Sequence, residues 1–440
     1  MPTDADFASL IESQMKQRGI LGLNLLVCKH GEVLEQRSYG VANLEHNVLV
    51  TPETVFQIGS IGKQFVATAI MLLVAQGKID LEAGLASYLE TVPESWSAVR
   101  IRHLLSHTAG VPSDADGMDL RLDFSEDQLL EKIFAGNLEF APGEQFAYSN
   151  DGYKLIGILI SKVSGIFYGD YLHEKIFLPL GMETARIISE TAIVFNRAAG
   201  YVSEGSGWRN QDWVSPTFNS TADGALYMTL GDLARWENAL HNGTILPHSV
   251  LETMYTPRLL NDASSAPYGF GWSLSEQAGL RIAEHGGAWQ GFTAHYLRVL
   301  SNGLSVIVLT NQGNAMLERL VYSIAGMFTP ELTPPPEQDP IDDLDQDATA
   351  FDHSFLLRWA AGELQASEFT AELWDPAFIT DVGAHLAQQG CEPRLELLER
   401  KEQENMKISR YRVIYNRERL RFSIARDTQG KVAKLLIRPS

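Results

Sequence analysis

Hydrophobic positions fall into distinct rhythms along this chain, and the changes of rhythm mark its elements. Near the start, "LNLLVCK" and "EVLEQRSY" flank His30 and Gly31 and predict the two strands of a hairpin. The run "KQFVATAIMLLVAQGKI" is apolar around most of a helical circumference, which predicts a buried helix with Gly59 and Ser60 at its start. Helical periodicity returns in "YKLIGILISKVSG" and "LGDLARWENALHNG", each ending at a glycine as helix C-termini often do. From residue 292, "FTAHYLRVL" and "LSVIVLTN" predict strands around a turn at Ser301, Asn302 and Gly303. Strands therefore bracket a helical middle, the order of an α+β or α/β body with a helical insertion.

The end of the chain has its own rhythm. Helical "FLLRWAAGEL" precedes alternating "YRVIY" and "RLRFSIA", then "KVAKLLI". In "RLRFSIA", Leu420, Phe422 and Ile424 share one face while Arg419, Arg421 and Ser423 share the other, the pattern of a half-buried antiparallel strand. Ahead of this module lies "TPPPEQDPIDDLDQD", with four prolines, six acids and no base, the composition of an extended, self-repelling spacer. The expected division is a body at 1–332, a linker at 333–347 and a small α+β domain at 348–440, open to three roles: shaping the mouth of a site on the body, joining copies into a homo-oligomer, or binding a ligand.

Charge supports that division. Residues 351–440 carry 14 Lys plus Arg against 13 Asp plus Glu, whereas residues 1–350 carry 21 against 42, a balance of −21. A chain of net charge −20 is a poor partner for nucleic acid or an anionic membrane. No apolar run reaches the roughly 20 residues of a membrane span. The first thirty residues lack a basic head followed by an apolar stretch and a small-residue cleavage site, so a cytoplasmic location is expected. Cys28 and Cys391 fit no metal-ligand spacing and read as unrelated thiols of a reducing compartment.

Candidate chemistry begins at "FQIGSIGKQF". Ser60 and Lys63 stand about one helical turn apart, on one face, at the start of a buried helix whose free N–H groups favour developing negative charge. Spacing alone is weak: "SQMK", Ser13 to Lys16, has it in an ordinary amphipathic helix. Two further pieces add weight. "YSN", Tyr148 to Asn150, follows the loop signal "APGEQF", and "HGG", His285 to Gly287, lies between strand-like segments.

In this order the three motifs resemble the penicillin-recognising serine hydrolases: class C β-lactamases, D,D-peptidases, D-aminopeptidases and related esterases. "IRHLLSHTAGVP", "FLPLGMETA", "ADGALYMTLGDLARW" and "HGGAWQGF" are similar to family segments in family order, over about residues 10 to 325. The resemblance implies an α+β fold in which a mixed sheet is covered by helices, with the site where an all-helical region meets the sheet. It also implies Ser60 as acylated nucleophile, Lys63 as its proton acceptor, and Tyr148 as a second relay. Asn150 would hold Lys63 and the substrate, the N–H groups of Ser60 and Ala288 would form the oxyanion hole, and His285, with Gly286 and Gly287, would line the opposite wall.

One departure stands out. Where many members have Lys-Thr-Gly, this chain has His285, Gly286 and Gly287, and Gly286 offers no hydroxyl for a substrate's terminal carboxylate. The leading expectation is therefore a serine hydrolase of small esters or D-residue-containing amides and short peptides, working through an acyl-serine without metal or cofactor. A β-lactamase and a non-catalytic binding protein are the alternatives, and a complete nucleophile-and-base set disfavours the latter. His107 in "LLSHTAG" is expected to be structural, satisfying local hydrogen bonds, and Tyr227, Trp289 and Phe292 are divided evenly between pocket and core.

Overall fold

A computed structural model describes residues 2–113, 118–204, 207–313, 315–336, 338–371, 373–387, 392–415 and 419–439. Cys391 lies outside the described residues. The chain divides into two compact units, Met1–Val202 with Arg209–Pro334, and Ser203–Trp208 with Pro335–Ser440.

The first unit is built on a seven-stranded sheet. Strands β1 (Gly22–Lys29) and β2 (Glu32–Asn43) form the expected hairpin, and their two-residue turn puts His30 and Gly31 at φ 52° and 78°, the geometry that matches strand twist. Strands β3 (Ser273–Gln277), β4 (Leu280–Trp289), β5 (Phe292–Val299) and β6 (Leu304–Thr310) form a meander, and β6 closes on β1. Every described pairing in this sheet is antiparallel, so the sheet expected to be mixed is not; hairpin links impose that direction on the strands that follow one another, and β6 meets β1 antiparallel across the long connection.

Alternation along β1 feeds two cores. Leu23, Leu25 and Val27 face helices α1 (Asp4–Arg18) and, near the C-terminal end of the unit, Glu318–Phe328. Leu26 and Cys28 face the larger core that holds helix α2 (Lys63–Ala75). Helix α2 is buried nearly all round, as its composition demands. Helices α3 (Asn150–Ser164) and α4 (Leu230–Asn242) stop at Gly165 and Gly243, both left-handed, where the sequence placed their ends. Among the described residues, no single helix is long and apolar enough to cross a membrane.

In the second unit, helices α5 (Gln346–Ala360) and α6 (Pro376–Ala387) accompany a four-stranded antiparallel sheet of β7 (Arg394–Gln403), β8 (Met406–Ile414), β9 (Arg419–Arg426) and β10 (Val432–Pro439). Its core gathers Phe355, Trp359, Tyr411, Phe422 and Ile424. The proline- and acid-rich stretch differs from a free spacer. Ile341 N–H donates to Leu397 O at 2.8 Å, and Asp343 pairs with Arg400 at 2.5 Å. The edge strand β7 needs backbone partners and its arginine needs a carboxylate, and the acidic segment supplies both.

Candidate active site

The site forms where the start of α2 meets a bare sheet edge. Strand β3 pairs with β4 only as far as Glu284, so His285 to Trp289 are free of it on that side. The turn Gly59–Gly62 packs there so closely that only glycine fits. A Cβ on Gly59, whose φ is +53°, would sit 2.5 Å from Ala288 N, and one on Gly287 would sit 2.0 Å from Ile58 O and 3.2 Å from Ser60 N. The backbone amides of Ser60 and Ala288 thus lie on adjoining segments. Gly287 serves this close approach, whereas a Cβ on Gly286 would meet nothing within 4 Å.

Lys63 is completely buried. Its Nζ lies 3.0 Å from Ser60 Oγ, 3.0 Å from Asn150 Oδ1 and 2.6 Å from the Asp223 main-chain carbonyl. Two of these partners can only accept; the third, a hydroxyl, can also donate. The same Nζ is 4.9 Å from the Tyr148 ring centre and 5.4 Å from that of Tyr153. Ser60, Lys63, Tyr148 and Asn150, spread over ninety residues of sequence, are therefore brought together. Asp223 was not foreseen, because it contributes a backbone oxygen that no side-chain motif announces.

His107 grips the turn that carries Tyr148. Its carbonyl accepts from Ala147 N–H at 2.9 Å and its Nδ1 accepts from Ser149 N–H at 3.0 Å, one bond on each side of Tyr148. Its ring lies 4.2 Å from the Tyr148 ring, and a left-handed φ of 56° lets main chain and side chain reach the same turn. Ser149 then caps α3 by accepting from Gly152 N–H at 3.0 Å, which fixes Asn150 as the first helical residue. Burial, then the charge of Lys63, holds the His107 imidazole well below its usual range, so it is neutral.

His285, on β4, is 4% exposed, with its ring 6.0 Å from that of Tyr148 and both ring nitrogens engaged. Nδ1 lies 2.6 Å from Gly286 O, which can only accept, so Nδ1 carries the proton. Nε2 then accepts from the Tyr268 hydroxyl at 2.7 Å. Burial, followed by the Lys63 charge, lowers its pKa to about 3. A neutral ring with no free nitrogen orients its neighbours rather than exchanging protons with a substrate. Tyr268, in "YGFGW", was missed; its link to His285 depends on the β3–β4 hairpin bringing the two together.

Of the aromatic candidates, Tyr227 and Phe292 are core residues, 3% exposed each. Trp289 is half-buried, and its indole N–H donates to Asn219 Oδ1 at 2.9 Å, while Asn219 in turn donates to Glu190 at 2.9 Å. Among the described residues no group of three or more His, Cys, Asp or Glu is placed to hold a metal ion.

A serine hydroxyl against a buried amine, beside crowded backbone N–H groups, is the equipment of a serine hydrolase. The chain belongs to the beta-lactamase family, which it matches over residues 7–342, and is a serine hydrolase of that family. It is 29% identical over 310 residues to penicillin-binding protein 4* of Bacillus subtilis (strain 168), covering 66% of this chain and 67% of that one. A D-aminopeptidase of Gluconobacter oxydans (strain 621H) is 30% identical over 304 residues, covering 66% of this chain and 55% of its own. The crystal structure of D-amino acid amidase from Ochrobactrum anthropi SV3, complexed with L-phenylalanine, is similar with a TM-score of 0.60 and 28% identity, covering 70% of this chain and 92% of that one. The chain thus spans between about half and two thirds of the length of these two curated relatives.

Proposed function

We propose that this protein hydrolyses amide bonds of small D-amino-acid-containing substrates through an acyl-Ser60 intermediate. The observation that carries the mechanism is the set of partners around Lys63 Nζ. Once Lys63 gives up the charge it carries beside His107 and His285, its amine has two N–H bonds and one lone pair; with the two N–H groups kept by Asn150 Oδ1 and the Asp223 carbonyl, the lone pair turns to the Ser60 hydroxyl.

On that reading Lys63 takes the Ser60 proton as Oγ attacks the substrate carbonyl carbon. The carbonyl oxygen becomes an oxyanion facing the N–H groups of Ser60 and Ala288, an arrangement worth about 3–4 kcal/mol per donor in enzymes of this chemistry. Collapse of the tetrahedral species expels the amine, which takes a proton relayed from Lys63 by way of Tyr148. Water then attacks the acyl-serine by the same proton path in reverse, releasing the acid and restoring Ser60.

The substrate class rests on two supports. The relatives include a D-aminopeptidase and a D-amino acid amidase. Gly286 also brings no hydroxyl to the wall where a carboxylate-terminated substrate would be held. The test is hydrolysis of D-alanine p-nitroanilide beside its L-isomer, p-nitrophenyl butyrate and a penicillin. Preference for the D-anilide is expected. Turnover of the penicillin alone would replace this reading with a β-lactamase, and turnover of the ester alone would replace it with an esterase.

A further inference from the structure

The second unit carries a charge pattern that its own fold does not explain. The inner face of its sheet presents Tyr411, Val413, Leu420, Phe422 and Ile424 to the core. By strand alternation the outer face presents Arg394, Glu396, Glu399 and Lys401 from β7, Arg410 and Arg412 from β8, Arg421 from β9, and Lys434 from β10. Six cations meet two acids, in a chain of net charge −20.

The register sharpens the anomaly. Arg412 lies directly opposite Arg421, so two neighbouring strands place arginine at one level. Like charges directly opposite each other destabilise a sheet. Arg412 is neutralised by Glu396 at 2.8 Å and Arg410 by Glu399 at 2.7 Å, but Arg421 has no carboxylate partner among the described residues. Half-buried Ile408 and Ile414 and the 49% exposed Leu436 lie among these cations. Arginine interleaved with aliphatic side chains is the composition of protein interfaces.

We propose that this face docks on the acidic surface of a second copy of the chain. Charge complementarity selects that occupant. Residues 1–334, ahead of the acidic stretch that packs on β7, carry 21 Lys plus Arg against 36 Asp plus Glu, so two such bodies repel, whereas residues 394–438 hold 13 Lys plus Arg against 6 Asp plus Glu. The basic face meeting the acidic body joins two different surfaces, so the contact is heterologous and closes into a ring or runs on as a filament. Four strands of about eight residues make a face of roughly 500 Å², short of the ~800 Å² per partner in a standard interface. Association through it is accordingly moderate in strength and salt-dependent.

The test measures mass by light scattering and sedimentation for the full chain, at low ionic strength and near 1 M salt, where the Debye length is about 3 Å. The variant carries Arg421→Gln with Lys434→Gln, and thermal unfolding is followed in parallel. Wild type is expected to self-associate at low salt and dissociate at high salt. The variant should associate about tenfold more weakly or worse, with an unfolding midpoint equal to or above that of wild type because a repulsion has been removed. A monomer at both salts would overturn the proposal, as would self-association indifferent to salt and to the substitutions. Retention of nucleic acid on this face without self-association would overturn it too, since the occupant would then be another polyanion.

Discussion

The chain contains the Ser-x-x-Lys spacing twice, and the two copies show how little spacing does by itself. At Ser13 and Lys16 both residues are exposed on α1, and Ser13 Oγ accepts only from Gln17 at 3.5 Å. At Ser60 and Lys63 the amine is fully buried, takes part in three hydrogen bonds and lies against a strand edge crowded enough to demand glycines at 59 and 287. On the proposed mechanism the same two side chains become a nucleophile and a base only where the surroundings remove water and hold the amine against the hydroxyl. The difference between the sites is one of packing and hydrogen-bond inventory.

Ser60→Ala should break the comparison most sharply. Turnover is expected to fall roughly 10⁴-fold or more, while Ser13→Ala leaves kcat within about twofold; steady-state kinetics on the preferred anilide checks both. Lys63→Met comes next. It leaves the Asn150 and Asp223 carbonyls buried without a donor, each worth about 1–3 kcal/mol, so denaturant unfolding should show a clear loss of stability with kcat down by about 10³. Lys16→Met should alter neither.

Acid should separate the buried site from the surface next. His285, with its pKa lowered to about 3, His103, lowered to about 4 by burial and then by Arg102, and His107, well below its usual range, are neutral when folded but take protons near 6.5 when unfolded. A depressed folded-state pKa on a histidine gives stability that is complete above pH 6.5 and is lost as pH falls, because the unfolded chain then binds more protons. Each such histidine contributes a slope of about 1.4 kcal/mol per pH unit. The melting temperature should therefore drop steeply between pH 6.5 and 4, and a flat profile there would contradict the buried, neutral assignment.

A smaller effect tests how the Tyr148 turn is held. His107→Asn keeps an acceptor near the Ser149 N–H and tolerates a positive φ, whereas His107→Phe keeps a ring beside Tyr148 and loses the acceptor. The Phe variant should lose about 10–100-fold in kcat at nearly constant KM, by misplacing a relay group, with Asn recovering most of it. Equal loss in both, or a pure KM effect, would return His107 to a merely structural role. Gly286→Ala, whose Cβ meets open space, should change stability by less than about 0.5 kcal/mol, in contrast to Gly287→Ala, whose Cβ meets the Ile58 carbonyl at 2.0 Å.

Much of this was legible in the sequence, for definite reasons. Gly165 and Gly243 end helices because left-handed residues do so, and His30–Gly31 announces a hairpin because the turn needs two positive φ values. That Ser60, Lys63 and Asn150 meet was legible because each is a polar side chain within a sequence motif, and the structure joins them at Lys63 Nζ. Contributions that run through backbone or tertiary contact were not: the Asp223 carbonyl, the Tyr268 hydroxyl behind His285, and the Asn219–Glu190 relay behind Trp289. Strand β7 escaped notice because the register shift between Leu397 and Glu399 breaks its alternation. The acidic stretch before α5 was read as a spacer because composition alone does not reveal that Arg400 and an open strand edge await it.

The measurement that tests the central claim most directly is intact-protein mass during turnover of the preferred substrate, followed by peptide mapping, on wild type and Ser60→Ala. The account predicts a transient acyl adduct that maps to Ser60 and is absent from the variant. Turnover without an adduct on Ser60, or an adduct that persists in Ser60→Ala, would contradict it.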